Sequence, residues 1–67
     1  MISARNQLQG TITSIKHDNV MSEVVVRSGE MELVSVITRT SAEAMRLAPG
    51  DRVTALIKST EVMIAKE

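Results

Sequence analysis

Cysteine, phenylalanine, tyrosine and tryptophan are all missing from this chain, and its eight acidic and eight basic side chains cancel. Each absence excludes something. Without cysteine there is no disulfide, no thiolate nucleophile and no thiolate metal site. The single histidine, His17, cannot build a structural zinc site without other ligands. Without aromatics there is no platform for stacking bases, an interaction worth about 1–3 kcal/mol per base in single-strand binders. Zero net charge gives no general attraction to nucleic acid or to an acidic membrane, so any anion site has to be local. No apolar run approaches the length of a membrane span, and the start of the chain has no signal-peptide core. The chain reads as soluble and cytoplasmic, and the lack of cysteine fits a reducing compartment.

What remains is a 67-residue chain read as one domain over 1–67, with a core built from Val, Ile, Leu, Met and Ala. A chain of this size buries only about 60% of its unfolded surface. Disulfides and a structural metal are excluded, which leaves oligomerisation as the means of stabilising it.

The pattern along the chain is that of short strands. Gln7 to Lys16 alternates, with Leu8, Gly10 and Ile12 on one face. Ile15 falls out of phase, which predicts a bulge. His17-Asp18-Asn19 is a turn composition, Val20 to Arg27 a second strand, Ser28-Gly29-Glu30 a hairpin turn and Met31 to Thr38 a third strand. Thr40-Ser41-Ala42-Glu43 fits a capping box, with Thr40 as N-cap of a short helix whose apolar side is Ala44, Met45 and Leu47. Ala48-Pro49-Gly50-Asp51 has the composition of a type II turn. Arg52 to Lys58 is a fourth strand and Glu61 to Ala65 a short fifth. The expected fold is mainly β: a five-stranded, oligonucleotide-binding-like barrel with one short helix between strands three and four. A ubiquitin-like roll and an SH3-like barrel are the alternatives. The strands are apolar on both faces. Leu33 and Ile37 oppose Val34 and Val36; Val24 and Val26 oppose Met21 and Val25; Val53, Ala55 and Ile57 oppose Leu56. A barrel has one inside and one short helix cannot cover three strands, so a neighbouring subunit is the expected cover.

Catalysis is poorly served. His17 sits in a turn beside Asp18 with no evident serine partner, the glycines form no phosphate loop, and the five methionines fit core and interface filling. An enzyme, a resident cofactor and a metal held by side chains are not expected. Anion binding is better served. Ser3-Ala4-Arg5-Asn6-Gln7 near one end and Lys58-Ser59-Thr60 near the other each join a permanent cation to hydroxyl or amide groups. A fold that brings the two ends together, within a chain or between chains, makes a donor-rich nest for a doubly charged oxyanion. Arg5 offers a planar fork and Lys58 a compact charge. The helix start after Thr38, with Thr38 and Ser41 hydroxyls beside it, is the third element.

These segments carry a family resemblance. Ser3-Ala4-Arg5-Asn6-Gln7-Leu8-x-Gly10, then Ile37-Thr38-x-x-Ser41-Ala42-Glu43, Leu47-Ala48-Pro49-Gly50 and Ala55-Leu56-Ile57-Lys58-Ser59-Thr60-x-Val62-Met63 closely resemble the molbindin family, small molybdate-binding proteins with a Mop/TOBE-type domain. The resemblance implies a barrel that swaps strands into a dimer, with three dimers forming a homohexamer. It implies molybdate or tungstate held at subunit interfaces, by Ser3 and Arg5 of one chain and Lys58 and Ser59 of another. Thr38 and Ser41 correspond to the flanking hydroxyls, and Ala4 and Thr60 to further donors. The role it implies is intracellular molybdenum storage or homeostasis. A second reading is an oligomerising regulatory or interaction module with incidental anion binding; a third, a nucleic-acid-binding barrel, is disfavoured by the missing aromatics and zero charge. Neither a nucleic-acid nor a membrane partner is expected.

Overall fold

The computed structural model describes residues 5–66. Four strands form one antiparallel sheet: β1 (Asn6–His17), β2 (Met21–Ser28), β3 (Met31–Thr38) and β4 (Arg52–Ile57), in the order β3-β2-β1-β4. A six-residue helix α1 (Arg39–Ala44) follows β3, and a 3₁₀ turn η1 (Ser59–Glu61) follows β4. The fold is mainly β with one short helix between the third and fourth strands, as the alternation predicts. The sheet has four strands and is not closed, in contrast to the five-stranded barrel expected.

The fifth strand is the correction. Ser59–Glu61 turns, and the residues after it pair with nothing in the sheet. A strand exists only through its ladder, and Val62, Met63 and Ile64 stand 48%, 93% and 89% exposed. Their apolar pattern is real, but among the described residues they have no partner strand.

β1 changes partner along its length. Asn6 to Thr11 pairs with β4, while Thr11 to His17 pairs with β2. The register shifts between Ile12 and Ser14, a bulge that restores Ile15 to the core side and accounts for its phase. Gly10 lies where the strand changes partner. A Cβ there would stand 2.5 Å from the Arg27 carbonyl oxygen and 2.7 Å from Val26 Cγ1, so only glycine fits. The 48–51 turn is of the expected type, with Gly50 at φ 95° and the Asp51 N–H donating to the Ala48 carbonyl at 3.1 Å. It locks onto the bulge, because Gly50 N–H donates to Ile12 O at 2.7 Å and Ile12 N–H to Asp51 O at 2.9 Å.

The core is small. Ile12, Val24 and Val26 are buried, with Ile15, Leu33, Ile37, Leu47 and Val53 packed around them. Each fully buried aliphatic side chain stabilises by about 1.5–3 kcal/mol. The face assignments hold: Val24 and Val26 point inward, while Val34 and Val36 point outward at 61% and 60% exposure. The helix differs from expectation. Its N-cap is Thr38, not Thr40, and its buried residue is Ala42, while Ala44 and Met45 face solvent. The Arg39 N–H bonds to the Val20 carbonyl at 2.8 Å, so the chain enters the helix directly from β3 and the cap moves two residues back. The helix ends in a Schellman motif: Leu47 N–H donates to Ala42 O and Arg46 N–H to Glu43 O, with Arg46 in the left-handed region at φ 53°.

Candidate functional site

The last pair of the β1–β4 ladder is Asn6 with Ile57. Arg5 and Lys58 are the next residues outward on the two strands, so one chain carries both cations to one end of its sheet, in contrast to the two different chains that the resemblance implies. Both side chains are exposed. Lys58 is the N-cap of η1, with extended backbone and no side-chain hydrogen bond to the turn. Ser59 and Thr60 form the exposed first residues of that turn. Ser3 and Ala4 lie outside the described residues.

Thr38 and Ser41 lie elsewhere. Thr38 ends β3 opposite Met21, beside the far end of β1. β1 is 12 residues long, which spans up to roughly 36 Å. The hydroxyl pair and the cation pair therefore occupy opposite ends of one sheet, and a single chain does not bring them together.

The hydroxyls at the far end are already committed. Thr40 Oγ1 donates to Thr38 Oγ1 at 3.4 Å, and the Ser41 N–H donates to the same oxygen at 3.2 Å. Thr38 passes its own proton to Ser41 Oγ at 2.7 Å. Its single donor and both lone pairs are used, which makes it a positioning group. The Ser41 hydroxyl ends the chain and keeps its proton free to donate outward. With only six residues, α1 supplies little dipole of its own.

Two groups near that end escaped the sequence reading. Arg39 donates to Glu43 Oε2 at 3.4 Å and to the Asp18 carbonyl at 3.3 Å, between shallow depressions of about 440 and 430 Å³. Its spacing to Glu43, four residues on, was the available signal. His17 does have a serine partner: its Nδ1 is 2.5 Å from the Ser22 hydroxyl, directly across the ladder. Ser22 is 1% exposed, so this bond satisfies a buried hydroxyl and offers no nucleophile to a substrate. Among the described residues no group of three or more His, Asp or Glu side chains could hold a metal ion. No helix there is long and apolar enough to cross a membrane.

Between the two edge strands runs an open apolar groove of about 730 Å³, walled by Leu33 to Ile37 of β3 and Val53 to Ile57 of β4. The core lies at its floor. Sheet closure would fill this space with a fifth strand.

The TOBE domain model matches residues 2–64. The chain belongs to the TOBE domain family. It is 42% identical over 64 residues to molybdenum-pterin-binding protein 1 of Clostridium pasteurianum, covering 94% of each. It is 46% identical over 66 residues to the molybdenum transport protein ModE of Azotobacter vinelandii, covering 97% of this chain but 24% of that protein. The chain thus spans about a quarter of the length of some curated relatives and nearly all of others. Among solved structures it superposes on a molybdate-binding protein from Sporomusa ovata with a TM-score of 0.95, at 42% identity and 98% coverage of both chains. These relatives are binding and transport proteins, not enzymes. The resemblance to small molybdate-binding TOBE-type modules, drawn above from motifs spread along the chain, holds.

Proposed function

We propose that the chain, as one Mop-like module over residues 1–67, binds molybdate or tungstate at the subunit interfaces of a homo-oligomer and serves in intracellular, cytoplasmic molybdenum storage or homeostasis. It is a binding protein, and the oxyanion is its ligand rather than a cofactor. The observation that carries the reading is the register that sets Arg5 and Lys58 side by side beyond the β1–β4 ladder, in a chain whose relatives are named for molybdenum binding. Two cations at one strand end have no carboxylate partner among the described residues. Arg5 supplies a fork of donors and Lys58 a compact charge, with Ser3, Ala4, Ser59 and Thr60 as flanking donors.

Thr38 and Ser41 complete the set from another copy, since one chain holds them at its opposite end. Ser41 makes the contact and Thr38 orients it. Burial at such a seam raises each charge contact from about 1 kcal/mol in water to about 4 kcal/mol at an effective dielectric near 20. The open groove and the unpaired Val62, Met63 and Ile64 complement one another in chemistry. Exchange of that segment between two copies closes both sheets and gives the strand-swapped dimer, three of which make a hexamer.

Isothermal titration with sodium molybdate tests the site. Binding is expected in the sub-millimolar range and Arg5→Ala should weaken it by about 1.5–3 kcal/mol, the range for hydrogen bonds to charged groups. Unchanged affinity removes Arg5 from the site. A second reading, an oligomerising regulatory module with incidental anion binding, draws on the relatives in which the same stretch is about a quarter of a longer protein. It predicts a full assembly without molybdate and a partner protein that binds in an anion-dependent way.

A further inference from the structure

Thr11 is the one β1 residue paired on both sides: with Arg27 of β2 and with Arg52 of β4. Paired residues of an antiparallel ladder share a face. Gly10 and Ile12 point into the core, so Thr11 and both arginines point outward. Two guanidinium groups, with Cα atoms about 10 Å apart by strand spacing, therefore bracket a hydroxyl on the outer face. Neither has a hydrogen-bond or ion-pair partner among the described residues. The next row on this face, Gln9 with Thr54, is polar. One carboxylate faces the row, Glu32 of β3, opposite Arg27. The other acid near Arg52, Asp51, is engaged by the Ala48 N–H at 3.0 Å.

The geometry points to a docking surface for an acidic segment of a partner protein, with a carboxylate seated over Thr11 between Arg27 and Arg52. Magnitude and sign select this occupant. The face is open, and a free ion there meets charges screened by water, about fourfold weaker than under a partner that excludes it. A second copy related by a two-fold axis reverses the row, so that Arg52 meets Glu32 but Arg27 meets only Thr11 and gains no carboxylate. Nucleic acid finds no aromatic to stack on. Carboxylates meet arginine forks in paired hydrogen bonds.

The test is an NMR titration of the isotope-labelled, molybdate-saturated protein with three probes at equal charge: hexaglutamate peptide, inorganic phosphate and a six-residue oligothymidylate. Molybdate saturation separates this inference from the site at Arg5 and Lys58. Hexaglutamate is expected to shift the Thr11, Arg27 and Arg52 signals selectively. Arg52→Ala should weaken that binding at least fivefold, and Glu32→Gln should tighten it about twofold by removing the competing carboxylate. Equal binding by phosphate makes this a small-ion site and overturns the proposal, as does stronger binding by the oligonucleotide. Shifts spread evenly over every basic residue, a concentration-dependent shift of these signals without peptide, or indifference to both variants also overturns it.

Discussion

The two ends of the sheet hold polar groups of opposite character. At the β3–α1 end, Thr40, Thr38 and Ser41 form a chain of hydrogen bonds that also caps the helix. At the β1–β4 end, Arg5 and Lys58 stand exposed beyond the last ladder pair. The first cluster serves the fold whether or not an anion is present. The second does nothing for the fold that the structure records. Substitution of the Thr38 cap should therefore register in stability as well as affinity, and substitution of Arg5 or Lys58 in ligand affinity alone.

The largest effect is expected at the joint between the ends. Gly10→Ala forces a methyl group against backbone on one side and packed Val26 on the other. It should cost about 3 kcal/mol by urea denaturation, at the upper end of ordinary overpacking. A change under about 1 kcal/mol means that β1 and β2 separate easily there, and the two ends are then not held by one rigid strand. Next comes the contrast itself. Arg5→Ala should leave the unfolding free energy from urea denaturation within about 0.5 kcal/mol of the parent while weakening molybdate binding by about 1.5–3 kcal/mol. Thr38→Ala should lower stability by about 1 kcal/mol through loss of the cap, a shift of roughly 4–8 °C in Tm for a domain this small. Thr40→Ala should change stability by no more than about 0.5 kcal/mol; equal losses at the two threonines would restore Thr40 as the cap. A gain is expected at Arg46, where the left-handed φ of 53° suits glycine. Arg46→Gly should stabilise by up to about 1 kcal/mol, the cost of that conformation less the added freedom of the unfolded chain.

Much of the fold was legible because alternation is local. The inward set of Ile12, Val24 and Val26 follows from period two, and the misplaced Ile15 announced the bulge. The Pro-Gly turn was equally plain. What failed depended on context beyond the segment. Thr38 and Thr40 are both good N-caps by composition. The choice between them was made by a backbone bond from Arg39 to Val20, which no local pattern encodes. Val62 to Ile64 looks like a strand but lacks a neighbour among the described residues. The contact of His17 with the buried Ser22 depends on the strand register, which sets the two across the ladder. The site was legible as two clusters of the right chemistry. That Arg5 and Lys58 share one end of a single chain, with Thr38 and Ser41 at the other, needed the pairing register.

Under the proposed function, the separation of those ends requires more than one copy for a complete site. Native mass spectrometry of the parent protein with and without molybdate tests this most directly. The account predicts molybdate masses on dimers or hexamers and none on the monomer. A monomer that carries the anion as tightly as the assembly contradicts it.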